Sequence, residues 1–159
     1  TAESTEGEGT TFYIYLPASE KEASAETGEY NVLSGKGRIL LMDDDEIVRD
    51  ATGNMLIELG YEAVMAEDGM SAIELYREAK AAGKPYDMVI LDMTIPGGMG
   101  GKETIRELLK LDPHVKAIVS SGYSDDPVMA EFEKYGFTAV IKKPYNIQDI
   151  SALLHKIVG

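Results

Sequence analysis

Short apolar runs alternate with amphipathic stretches along residues 38–159, and this alternation predicts the fold. Residues 39–42 are continuously apolar, which is typical of a strand buried on both faces of a sheet. Apolar side chains then recur about every four positions up to Leu59, which predicts a helix with Asp45 as its N-terminal cap. Gly60 is placed to end that helix.

The same alternation continues to the end of the chain and gives five strands and five helices. The remaining strands are predicted at 62–66, 88–91, 116–120 and 139–141, and the remaining helices at 71–79, 101–110, 128–135 and 146–158. Strands that alternate with helices predict a parallel sheet covered on both faces. With right-handed crossovers, we expect a flavodoxin-like, doubly wound α/β fold of three layers with strand order 2-1-3-4-5.

The first 37 residues differ from the rest in composition. Residues 18–37 are rich in Ala, Ser, Glu and Gly and show no periodicity, which is typical of a linker. Before them, residues 12–16 form one strand-like run, and a single strand cannot bury its own face. We therefore predict a short segment of another domain at 1–17, a linker at 18–37 and an independent domain at 38–159.

Composition and charge exclude several classes of protein. The chain has 28 acidic and 15 basic residues, a formal charge of −13, and so lacks the basic face that nucleic acids or anionic membranes require. No apolar run approaches the roughly 20 residues that span a bilayer, and no signal-peptide pattern is present. The absence of cysteine excludes disulfides and thiolate metal sites. We expect a cytoplasmic protein without direct membrane or nucleic-acid contact.

Acidic side chains follow two of the predicted strands at the carboxyl edge, where ligands bind in such sheets. Asp43 and Asp44 follow the first strand, and Asp92 follows the third, its neighbour in the expected order. Two carboxylates about 4 Å apart repel by roughly 4 kcal/mol at an effective dielectric constant of 20, so this cluster needs a cation. Oxygen ligands favour Mg²⁺ or Mn²⁺.

Two further strand ends add a cation and a hydroxyl. Lys143 follows the fifth strand, and Ser120 and Ser121, at the end of the fourth, both offer the hydroxyl. This set suits transfer of a phosphoryl group onto a carboxylate, with Asp92 as the in-line nucleophile and Lys143 and the metal ion neutralising the phosphoryl oxygens. The alternative for Asp43 to Asp45 is a solvated turn with a helix cap.

Four segments, in this order and spacing, resemble the receiver domain of two-component response regulators. They are ILLMDDD at 39–45, VILDMTIPGGMGG at 89–101, IVSSGY at 118–123 and VIKKPY at 140–145. The resemblance covers about residues 38–158. It implies a domain that catalyses its own phosphorylation and dephosphorylation, with a histidine kinase or a histidine phosphotransfer domain as the phosphoryl donor.

The resemblance also implies a role for each site residue. Asp92 would be the phosphoacceptor, and Asp43 and Asp44 would hold Mg²⁺ together with Asp92 and the main-chain carbonyl of Thr94. Ser121 stands where the family has its switch hydroxyl, and Lys143 matches the lysine before the proline of the fifth-strand motif.

One position departs from the family pattern. Val140 stands where the family often has Tyr or Phe, so we expect phosphorylation to cause a modest, backbone-dominated shift in residues 122–145 rather than the swing of a ring. Neither His114 nor His155 lies in a phosphoacceptor motif, so the donor histidine must lie elsewhere. A dimer through the face of the last helix is a further hypothesis.

A second resemblance lies at the start of the chain. GEGTTFYIYLP, at 7–17, is similar to the last glycine-rich box and final strand of a histidine-kinase ATP-binding domain. This implies that residues 1–17 are the remnant of that domain and that the chain is the C-terminal receiver of a hybrid sensor histidine kinase, whose parent chain is a phosphotransferase. The other ATP-site boxes are absent, so we expect no ATP binding.

Three alternative functions share either the site residues or the expected fold. A haloacid-dehalogenase-like phosphatase also combines an Asp nucleophile with Lys and Mg²⁺, but it needs a second Asp two positions after the nucleophile, where this chain has Thr94. A pseudo-receiver that only binds partners would have no need of the carboxylate cluster. A flavodoxin would carry a Ser/Thr-rich phosphate loop after the first strand, which this chain lacks.

Overall fold

The N-terminal part of the chain is a β-hairpin. The computed structural model describes residues 1–7, 9–15, 33–122 and 127–158, and the chain divides into two compact units, Thr1–Tyr30 and Asn31–Gly159. In the first unit, β1 (Ala2–Thr5) pairs antiparallel with β2 (Gly9–Phe12). Gly7 lies in the turn with φ of +83°, in the left-handed region that favours glycine.

The single strand predicted at 12–16 is therefore wrong in position. Phe12 ends β2, residues 13–15 have no regular secondary structure, and Leu16 lies outside the described residues. The partner strand β1 has no apolar alternation, so the hydrophobic pattern gave no sign of it. Its strand conformation comes from main-chain pairing across the glycine turn.

The second unit is a parallel sheet with helical connections. Its strands are β3 (Arg38–Met42), β4 (Glu62–Ala66), β5 (Met88–Asp92), β6 (Ala117–Ser121) and β7 (Ala139–Lys142), in the spatial order β4-β3-β5-β6-β7. The helices are α1 (Glu46–Glu58), α2 (Gly69–Ala81), α3 (Gly101–Leu111), α4 (Pro127–Ala130) and α5 (Ile147–Val158). Counted within this unit, the order is 2-1-3-4-5, so the predicted flavodoxin-like topology is confirmed.

Two apolar cores cover the two faces of the sheet and give three layers. Side chains along each strand alternate between the cores. In β6, Ile118 packs with residues of α1 and α5, whereas Val119 packs with residues of α2 and α3. In β5, Ile90 and Leu91 divide in the same way. This alternation fixes which face each residue at the strand ends occupies.

The helix predicted at 128–135 is split in the structure. Residues Pro127–Ala130 form the short α4, and Phe132–Tyr135 form a 3-10 turn. Glu131 leaves the helical region, with φ of −123° and ψ of 31°, and Gly136 ends the turn with φ of +92°. Apolar residues at this spacing face the core in either conformation, so the pattern could not distinguish them.

The predicted ends of the first helix are confirmed. The Asp45 carboxylate accepts hydrogen bonds from the main-chain N–H groups of Ile47 and Val48, at 2.9 and 3.3 Å. Gly60 follows the C-cap with φ of +92°. These contacts set the direction in which the chain leaves the acidic end of β3.

Residues 33–37, just before β3, pack on the second unit. The Ser151 hydroxyl of α5 accepts a hydrogen bond from the Leu33 N–H at 2.9 Å and donates one to the Leu33 carbonyl at 3.2 Å. The Gly35 N–H donates to the Leu59 carbonyl at 2.8 Å. Within the described ranges, no helix is both long and apolar enough to cross a membrane.

Candidate functional site

Three carboxylates meet at the carboxyl edge of the sheet. Asp43 and Asp44 follow β3 directly, and Asp92 is the last residue of β5. The two strands are adjacent, with Met42 in register with Leu91. Each of the three side chains has a carboxylate oxygen within 4.8 Å of those of the other two. The structure thus brings together the acidic residues that the sequence placed at two neighbouring strand ends.

The three carboxylates differ in burial. Asp43 is 1% exposed and Asp92 is 8% exposed, whereas Asp44 is open to solvent. The Asp43 carboxylate accepts a hydrogen bond from the Asp45 N–H at 3.1 Å. Its main-chain carbonyl accepts one from Nη1 of Arg49 at 2.7 Å. These bonds hold the loop between β3 and α1 so that the carboxylates converge.

Lys143, the first residue after β7, bridges two of the carboxylates. Its Nζ lies 2.6 Å from Oδ2 of Asp43 and 3.1 Å from Oδ2 of Asp92, and its side chain is 19% exposed. The Lys143 N–H donates to the Ser121 carbonyl at 2.9 Å, which anchors the lysine to the end of β6. The Lys143–Pro144 bond is cis.

Burial and neighbouring charge shift the pKa values of Asp92 and Lys143 in opposite directions. Burial raises the pKa of Asp92, and although the charge and hydrogen bond of Lys143 lower it, the net shift is upward. Burial alone would lower the pKa of Lys143, but its hydrogen bond to Asp43 and the charge of Asp92 outweigh burial and raise that pKa. Lys143 is therefore a persistent cation facing a buried acid.

The donor set fits a hard divalent cation. Three carboxylates face one ammonium group, which leaves negative charge unbalanced at the cluster. All the converging donors are oxygen atoms, and Mg²⁺ and Mn²⁺ prefer oxygen ligands.

The other predicted site residues lie at the same edge but differ in setting. Thr94 is exposed in the loop that leads from β5 to α3, and Ser121 is buried at the end of β6. Val140 is half-buried and packs against the core on the side of α2 and α3. Within residues 122–145, where the sequence predicts a shift on phosphorylation, positions 123–126 lie outside the described residues.

Glycines after Asp92 allow close packing of α3. A Cβ atom at Gly100 would lie 2.4 Å from the Met93 carbonyl oxygen, and one at Gly101 would lie 2.8 Å from the Asp92 carbonyl oxygen. Any larger residue would push the helix away from the end of β5. Gly97 has φ of +73°, in a turn closed by the Gly98 N–H and the Ile95 carbonyl.

Sequence reasoning missed the contribution of Arg49. Its guanidinium group donates to the main chain at the acidic pair from one turn inside α1. The only available signal was its position four residues after the capping Asp45. A basic residue at that position on a helix is common on protein surfaces, so the spacing alone could not single it out.

Comparison with known proteins identifies similar domains. Residues 39–155 match the response regulator receiver domain. The chain is 33% identical over 121 residues to the chemotaxis protein CheY of Thermotoga maritima, covering 76% of this chain and 96% of that protein. It is also 31% identical over 165 aligned positions to the sensor kinase CckA of Brucella abortus, covering 96% of this chain but only 17% of that kinase.

A solved structure adds a similarity in three dimensions. The response regulator protein TrrA from Thermotoga maritima, in complex with Mg²⁺-BeF, superposes with a TM-score of 0.63 and 28% sequence identity. The match covers 76% of this chain and 97% of that one.

Proposed function

This chain belongs to the response regulator receiver domain family, and we propose that it relays a two-component signal by accepting a phosphoryl group on Asp92. The observation that carries this proposal is the contact of Lys143 Nζ with both Asp43 and Asp92 inside the carboxylate cluster. The receiver match over residues 39–155 gives no support to the phosphatase alternative.

The proposed reaction is a single phosphoryl transfer. A carboxylate oxygen of Asp92 attacks the phosphorus of a phosphohistidine in line with the phosphorus–nitrogen bond, which breaks as the oxygen–phosphorus bond forms. The histidine leaves with the electron pair of the broken bond and takes up a proton, and Asp92 becomes an acyl phosphate. Lys143 balances negative charge at Asp92 and on the arriving phosphoryl group.

A divalent cation completes the proposed site. Asp43, Asp44 and Asp92 would hold Mg²⁺ or Mn²⁺, with the main-chain carbonyl of Thr94 as a further ligand. When bound, the ion neutralises phosphoryl oxygens. The oxygen-only donor set supports this assignment, as does the similarity to a receiver solved with Mg²⁺-BeF.

The proposed readout begins at Ser121. A phosphoryl group adds about −1.5 to −2 charges and three acceptor oxygens, and the Ser121 hydroxyl would be drawn towards it. Val140 has few side-chain rotamers, so we expect a modest backbone shift in residues 122–145. Amide exchange with and without beryllofluoride tests this, because changes confined to the loops around Asp92 would contradict it and indicate a phosphoryl relay or sink.

We also propose a place for this domain in a larger protein. Residues 1–17 would be the end of a histidine-kinase ATP-binding domain, 18–37 a linker, and the rest the receiver of a hybrid kinase on the cytoplasmic side. The alignment with the sensor kinase CckA supports this, since it extends over 96% of the chain and therefore beyond the receiver. A histidine kinase or histidine phosphotransfer domain would be the donor, and a dimer through α5 remains a hypothesis.

Incubation with acetyl phosphate and Mg²⁺, followed by intact mass measurement, tests the proposed function. We expect the wild-type chain to gain one phosphoryl group and Asp92→Asn to gain none. Full labelling of Asp92→Asn would place the acceptor elsewhere. A wild-type chain that is never labelled would instead support the pseudo-receiver alternative.

A further inference from the structure

Ser120 places a buried hydroxyl without a hydrogen-bond partner at the end of β6. The residue is 2% exposed, and its Oγ makes no hydrogen bond within the described part of the chain. Buried side-chain hydroxyls in folded proteins are nearly always paired, because desolvating an unpaired polar group is unfavourable. The position of this hydroxyl in the sheet suggests a role for it.

The strand register places Ser120 beside Asp92. The two residues are partners on adjacent parallel strands. Ile118 packs with α1 and α5, so Ser120, two positions later, points to that same face of the sheet. Ile90 is in the same core, which puts Asp92 on this face as well. The hydroxyl and the carboxylate are thus lateral neighbours at the carboxyl edge.

The other strand neighbours of Ser120 on this face are apolar. Its in-register partner on the other side is Ile141 of β7, and Ile118 precedes it on the same face. Two further hydroxyls on this side of the sheet, those of Thr52 and Tyr145, lie 3.1 Å apart and bond to each other. Ser121 alternates to the opposite face and so occupies a different position from Ser120.

We propose that Ser120 is a positioning residue for phosphoryl transfer at Asp92. A change of its χ1 rotamer brings the hydroxyl within hydrogen-bond distance of the Asp92 carboxylate as the reaction begins. The hydrogen bond that it then donates fixes the orientation of the attacking oxygen. Lys143 already contacts Oδ2 of Asp92, and Ser120 supplies a second donor from the neighbouring strand. This inference rests on the proposed function, because it deepens the role of the same site.

Three substitutions at position 120 distinguish the effect of the hydroxyl group from the effect of side-chain packing. Thr and Val have nearly the same shape and both suit a strand, so Ser120→Thr and Ser120→Val differ in the hydroxyl alone. Ser120→Ala removes the hydroxyl without adding volume and guards against misfolding of the larger variants. The rate of labelling is measured by intact mass over a range of acetyl phosphate concentrations at fixed Mg²⁺.

The expected result has two parts. Ser120→Thr labels at close to the wild-type rate, whereas Ser120→Val and Ser120→Ala label about threefold to tenfold more slowly at saturation, the scale of one hydrogen bond. Their half-saturating concentrations stay unchanged. The thermal midpoint of the Val variant is equal to or higher than that of the Thr variant, because in the resting structure the hydroxyl has no hydrogen bond to lose and its desolvation is unfavourable.

Three outcomes would overturn the inference. Equal labelling rates for the Thr and Val variants would mean that Ser120 only fills space. A Val variant clearly less stable than the Thr variant would mean that the hydroxyl is bonded in the resting protein. A Val or Ala variant that changes only the half-saturating concentration would place Ser120 in donor binding. Failure of the wild-type chain to label would refute the proposed function itself. That result differs from the three above, in which the wild-type chain labels and only the variants decide.

Discussion

The acidic residues at the carboxyl edge of the sheet differ in whether a positive charge compensates their own. Asp43 is buried and paired with Lys143, whereas Asp44 is exposed and has no such ion pair among the described residues. Asp44 therefore adds repulsion to the cluster that water only partly screens. A bound divalent cation would remove this repulsion, because Asp44 would then be one of its ligands.

We predict that Asp44→Asn stabilises the chain without metal and weakens its response to Mg²⁺. Loss of the repelling charge should raise the free energy of unfolding by up to about 1 kcal/mol, the scale for an exposed charge pair. Loss of a ligand should reduce the shift in thermal midpoint that millimolar Mg²⁺ produces in the wild type.

Asp45→Asn is the matched control for this prediction. It removes the same charge one residue later, and asparagine retains the ability to cap α1. If Asp45→Asn reduced the Mg²⁺ shift as much as Asp44→Asn, the effect would be one of general charge, and Asp44 would not be a ligand.

The sequence was enough to predict which residues form the site, but not which of their side chains contact each other. Asp43, Asp44, Asp92 and Lys143 stand directly after apolar runs, and parallel strands bring such positions to one edge. The contact of Lys143 with Asp43 joins residues 100 positions apart. The pairing of Ser120 with Asp92 depends on strand register. Neither register nor side-chain direction can be read from a linear pattern.

At the scale of elements, side-chain hydrogen bonds cap the start of α2. The Asp68 carboxylate caps α2 by accepting the Ser71 N–H at 2.8 Å, and the Ser71 hydroxyl accepts the Asp68 N–H in return at 3.3 Å. The hydrogen bonds that the Ser71 N–H and the Ser71 hydroxyl donate to the Asp68 carboxylate lower the pKa of Asp68. A lowered pKa in the folded state means that ionised Asp68 stabilises folding.

We predict a pH-dependent cost for Asp68→Ala. The stability contributed by Asp68 is present in full above its unfolded pKa of about 3.9 and is lost as the pH falls through its lower folded pKa. At pH 7 the substitution should lower the free energy of unfolding by about 1 kcal/mol, as for other N-caps. Urea unfolding at several pH values should show this difference shrinking below about pH 4.

The neighbouring Glu67→Ala provides the comparison, because Glu67 is exposed and is not the cap of α2. A cost for Asp68→Ala that stays constant from neutral to acid pH would show that the charge of the cap is not responsible.

Element boundaries were less predictable than element order. The strand at 62–66 was predicted to the residue, since apolar runs bounded by turns leave little freedom. The break at Glu131 and the β1–β2 hairpin were missed, because both depend on main-chain geometry that side-chain polarity does not record. The sequence carried the pattern of burial but not every local conformation.

At the scale of the whole molecule, the entry segment at 33–37 joins the start of the receiver to its last helix. Ser151 is 4% exposed and bonds to both main-chain groups of Leu33. Since these bonds lie away from the acidic edge, they should contribute to folding stability rather than to chemistry.

We predict that two shortened chains behave differently. A chain that begins at Leu33 should match the full chain in labelling by acetyl phosphate. A chain that begins at Arg38 should label at a similar rate but unfold at lower urea, with about 1–3 kcal/mol less stability from the lost hydrogen bonds. Slow labelling of the chain from Leu33 would mean that upstream residues shape the site. Equal stability of the two chains would mean that the entry segment contributes nothing.

The position of the phosphoryl group is the central claim, and reductive trapping tests it most directly. Borohydride reduces an aspartyl phosphate to homoserine and leaves free carboxylates unchanged, so fragment masses identify the acceptor after labelling with acetyl phosphate and Mg²⁺. We predict homoserine at position 92, with Asp43 and Asp44 intact. Homoserine at 43 or 44, with aspartate retained at 92, would contradict the assignment of Asp92 as the phosphoacceptor.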